Sequence, residues 1–80
     1  MYTFTGATEE NGKVAFYANN RRVATREGTL IGVGDRGCTI LYGSMYQIYG
    51  TKPDKPICQV VSMSAPEFEK NKVELEGLYL

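Results

Sequence analysis

The chain has 80 residues, with nine Lys and Arg balancing nine Asp and Glu, two cysteines and no histidine. One small domain is expected, burying ~60% of its unfolded surface, with no strong whole-molecule pull on nucleic acid or anionic membranes. Without histidine no Ser/His or Cys/His nucleophile pair can form, and two thiols fall short of the four ligands a structural zinc needs.

The opening run Tyr2, Thr3, Phe4, Thr5 alternates apolar and polar residues and predicts a first strand. Asn11-Gly12 predicts a tight hairpin, because both residues tolerate φ > 0. A second strand is expected over residues 13–18, with Val14, Phe16 and Ala18 on one face. Residues 19–22 read as a turn, and 23–25 as a short third strand of edge character. Residues 29–33 and 38–42 are rich in β-branched and aromatic types and bracket the polar reversal Gly34, Asp35, Arg36, Gly37, which predicts a second hairpin. Gly43-Ser44 marks a reversal or a bulge, and residues 45–49 continue in strand-like composition.

Residues 50–56, GTKPDKP, are expected as an exposed loop, since their two prolines cannot enter a central ladder. The run 57–63, ICQVVSM, is the most continuous apolar stretch and predicts a central strand. Ser64-Ala65-Pro66-Glu67 fits a capping box with proline in the first turn, which predicts a short helix from residue 65 to about 71, anchored by Phe68. Residues 73–80 alternate again and predict a final strand that closes the sheet. The expected fold class is mainly β, between all-β and α+β. It is a small, strongly bent antiparallel sheet or partly open barrel of about six strands, with one short helix before the C-terminal strand.

Gly32, Gly34 and Gly37 spell G-x-G-x-x-G. That fingerprint binds a dinucleotide only where a helix leaves the loop. Here Cys38-Thr39-Ile40-Leu41-Tyr42 leaves it as a strand, so a glycine-rich hairpin is expected, with an anion-binding backbone nest as the lesser alternative. Glu74 and Glu76 are expected on a solvated strand face, away from the apolar surroundings that would raise a carboxyl pKa. Cys38 and Cys58 are expected as buried free thiols. No enzyme activity, metal or cofactor is expected.

Charge is unevenly spread: residues 13–36 hold five basic groups against two acidic, a net of +3. Arginines beside tyrosines can anchor a protein interface or stack bases and track phosphates. The candidate partner-binding residues are Tyr17, Arg21, Arg22, Arg26, Arg36, Tyr46 and Tyr49. A non-enzymatic protein that binds another protein through this surface or a strand edge is expected, in the manner of a stand-alone inhibitor or adaptor of phage or mobile-element type. Nucleic-acid binding through Lys13, Tyr17 and the arginines is the alternative, and a homodimer paired through an exposed C-terminal strand is a third. No apolar run approaches the ~18 residues of a membrane span, and no signal-peptide pattern opens the chain, so a cytoplasmic protein without a membrane partner is expected.

Overall fold

A computed structural model describes residues 1–80 as seven strands and one helix. The strands are β1 (Phe4–Glu10), β2 (Lys13–Ala18), β3 (Arg21–Glu27), β4 (Thr29–Val33), β5 (Gly37–Tyr42), β6 (Met45–Lys52) and β7 (Lys55–Ser64), followed by α1 (Ala65–Leu75). The mainly β expectation holds. The strands divide into two antiparallel sheets, β1-β2-β3 and β4-β5-β6-β7, which do not close into a barrel.

Two-residue turns set this order. Asn11 and Gly12 take φ of 53° and 75°, and Asn19 and Asn20 take 53° and 63°, the left-handed pairs that match the twist of flanking strands. The second turn is therefore tighter than expected, and Arg21 and Arg22 lie inside β3. Gly43-Ser44 is a full reversal. The expected loop over 50–56 shrinks to Pro53-Asp54, because β6 runs on to Lys52 and β7 begins at Lys55. Pro56 is accommodated there because β7 lies at the edge of its sheet, where a missing donor breaks no ladder. The expected central position of 57–63 is thus corrected.

The core lies between the sheets. Phe4, Val14 and Phe16 from the first meet Cys38, Ile40 and Tyr49 from the second, and the rings of Phe16 and Tyr49 sit 5.2 Å apart. Beside this core the two sheets nearly join. Glu9 accepts a hydrogen bond from the Leu30 amide at 2.7 Å, so its carboxylate occupies part of the outer edge of β4.

The other face of the larger sheet carries Thr39 and Ile48, both fully buried, and is covered by α1 and residues 77–80. Phe68 anchors the helix as expected, stacking on Tyr46 at 4.1 Å with the rings 4° from parallel. Ser64 stands at the N-cap and Pro66 in the first turn, yet no side-chain cap bond forms. The expected strand over 73–80 is absent. Lys, Glu and Leu are strong helix formers, so α1 continues to Leu75, where the alternation V-E-L-E is too short to impose a period of two. The chain then turns, with the amides of Leu78 and Tyr79 both bonded to the Leu75 carbonyl.

Residues 77–80 instead fill the glycine-rich hairpin. The amides of Asp35, Arg36 and Gly37 donate to the carbonyls of Gly77 and Leu78 at 2.8–3.2 Å, and the Thr39 hydroxyl donates to Tyr79 O at 2.8 Å. A Cβ on Gly34 would collide with the Leu78 backbone, and one on Gly37 with the Tyr49 carbonyl. G-x-G-x-x-G serves here to admit a neighbouring backbone.

Candidate functional site

The seven residues singled out from sequence do not converge on one face. Tyr17 and Arg22 are cross-strand partners on the outer surface of the small sheet, opposite in direction to Val14, Phe16 and Ala18. Arg21 is exposed at the start of β3. Arg26 lies at the far end of that strand, opposite Val14, with its guanidinium 5.9 Å from the centre of the Tyr49 ring. Tyr49 is only 7% exposed, and Tyr46 lies half-buried against Phe68, so both rings serve the interior. Arg36 belongs to the β4–β5 reversal, beside Tyr2 and Lys52.

Register also divides the charges. On the outer face of the small sheet Lys13 sits between Glu10 on β1 and Glu27 on β3. Two carboxylates flank that ammonium, whereas Arg21, Arg22 and Arg26 stand opposite Ala18, Tyr17 and Val14, with no acidic register partner. The amide nest of the hairpin is filled by the chain's own carbonyls.

The thiols are separate. Burial pushes the Cys38 thiol up to about 12, because the thiolate would lose its hydration beneath the small sheet. Cys58 is half-buried on β7, and both cysteines are free. No three His, Cys, Asp or Glu side chains gather as a metal would require.

The most distinctive surface is the edge formed by β7. Its inner side pairs with β6, whereas no hydrogen bond outside that ladder engages any residue of 55–64. Ten consecutive residues, 57–66, carry no charge, although exposed edges are normally guarded by Lys or Glu. A bulge sits at Val60, since Ile48 pairs with Val61 and Tyr49 with Gln59. It turns two adjacent valines toward the face shared by α1 and residues 77–80. Val61 lies opposite the inward-facing Ile48, and Val60 Cγ2 lies 3.7 Å from the Cβ position of Gly50. Val60 is 50% exposed and Val61 42%.

A groove flanks each valine. One, of about 490 Å³, lies between Met45, Val61 and Met63 and the helix residues Glu67, Glu74 and Leu75. The other, of about 480 Å³, carries Val60 and Cys58 toward Arg36, Lys52 and Tyr79.

Comparison of the chain with protein-family models, curated proteins and solved structures found no match. The edge must therefore be read from its own chemistry. Sequence reasoning missed it because a continuous apolar run reads as a buried strand. Pro56 at its start was the signal that distinguishes an edge. No helix is long and apolar enough to cross a membrane.

Proposed function

We propose that the chain is a non-enzymatic protein-binding module that recognises an extended segment of a partner by strand addition at β7. One observation carries this reading: the ten-residue strand is unpaired along its outer side and presents Val60 and Val61 half exposed. Strand addition draws affinity from main-chain hydrogen bonds and specificity from pockets for alternate side chains, and the two grooves beside the valines would supply those pockets. Blocking or bridging a partner needs nothing beyond such an edge, so inhibitor and adaptor roles both fit.

The test is selection from a displayed library of random peptides against the full chain. Selected peptides should bind the wild type in the micromolar range or tighter and lose at least tenfold affinity for Val61→Lys, whose long side chain adds charge to the edge. Peptides that bind the variant equally well, or a library that yields none, would contradict the reading.

A further inference from the structure

We infer that the strand added to β7 is the β7 of a second copy of this chain, forming a two-fold antiparallel dimer; this rests on the strand-addition reading above. Self-pairing needs a surface complementary to itself under rotation. The charges along β7 have that arrangement. Lys52, Lys55 and Arg36 lie toward its beginning, where Asp35 and Asp54 leave a net of +1, and Glu67 and Glu74 border the groove at its end, all seven being exposed. Between them lie residues 57–66, which carry no charge.

A two-fold axis beside Val60 and Val61 sets Val60 of each copy against Val61 of the other and Ile57 against Ser64, so that Lys55 projects toward the start of the second copy's α1, which holds Glu67. The basic end of each strand then meets the acidic end of the other, while the uncharged centres pair. A parallel arrangement would oppose like charges at both ends.

Two further features suit a closed pair. The net charge is zero, so copies do not repel at long range near neutral pH. The pairing consumes β7 on both copies, and β4, at the far edge of the same sheet, already has its Leu30 amide taken by Glu9. Assembly therefore stops at two. A strand pair with a few side chains is a small interface, so the dissociation constant is expected at ~1–100 μM.

Sedimentation equilibrium of the full chain from ~5 to ~500 μM, bracketing that range, tests the inference. Wild type should move reversibly from monomer to dimer. Lys55→Glu, at an exposed position that leaves the core intact, should weaken the dimer at least tenfold, and Lys55→Glu with Glu67→Lys should restore it. Circular dichroism confirms that each variant is folded. A wild type that stays monomeric throughout, or a dimer indifferent to Lys55→Glu and Val61→Lys, overturns the inference. If that monomer still binds selected peptides at β7, only the identity of the partner was wrong; if it binds none, strand addition itself fails.

Discussion

Gly37 and Cys38 are neighbours with opposite constraints. Gly37 faces the backbone of Tyr49 and Gly50, with no room for a methyl group and no flexible side chain to yield. Gly37→Ala should cost ~1–3 kcal/mol through overpacking, read as a lower urea midpoint with an unchanged slope. Cys38 faces the core, where its thiol is raised from 9.0 to about 12. The unfolded thiol ionises near 9.0 and the folded one only near 12, so the unfolded state gains charge first as pH rises. Stability contributed by the neutral thiol is thus complete below pH 9 and lost between 9 and 12. The urea midpoint of wild type should fall more steeply across that window than that of Cys38→Ala; parallel curves would show that Cys38 is not desolvated. At pH 8 an aromatic disulfide reagent should titrate Cys58 alone in the native protein and both thiols in urea.

At the scale of elements, α1 depends on its anchor and hardly on its cap. Phe68 is 3% exposed and stacked on Tyr46, so Phe68→Ala should cost about 3 kcal/mol. Ser64 makes no side-chain cap bond, so Ser64→Ala should cost less than ~0.5 kcal/mol, whereas a working cap would lose about 1. Denaturant titration of the two variants separates these roles. The same contrast shows which signals the sequence carried. Asn-Gly, the alternation of β2 and the Ser64–Glu67 pattern with Pro66 in the first turn are local chemistry, and the hairpin, the buried trio Val14, Phe16 and Ala18, and the start of the helix followed from them, although the cap bond itself does not form. Helix against strand over 73–80 depended on where residues 77–80 find hydrogen-bond partners, and those lie some forty positions earlier in the hairpin. Central against edge placement of 57–63 likewise depended on sheet order, which a period-two pattern does not encode. Of the residues proposed for the site, Tyr46 and Tyr49 were drawn inward because a small chain without tryptophan fills its layers with tyrosine and phenylalanine.

At the scale of the whole molecule, three layers compete for a limited apolar supply. The small sheet covers one face of the larger sheet, and α1 with residues 77–80 covers the other, yet neither hydrogen-bonds the outer side of β7. An uncharged, unpaired edge invites association, and the bulge at Val60 makes its outer side locally irregular. We propose that this edge is where the protein binds its partner. Amide chemical shifts of the labelled full chain, followed while a selected peptide is added or the protein is concentrated, test it most directly. The largest changes should run contiguously through residues 57–64 and into Met45, Glu67 and Leu75. Changes centred on Tyr17, Arg21 and Arg22, with β7 unmoved, would contradict it.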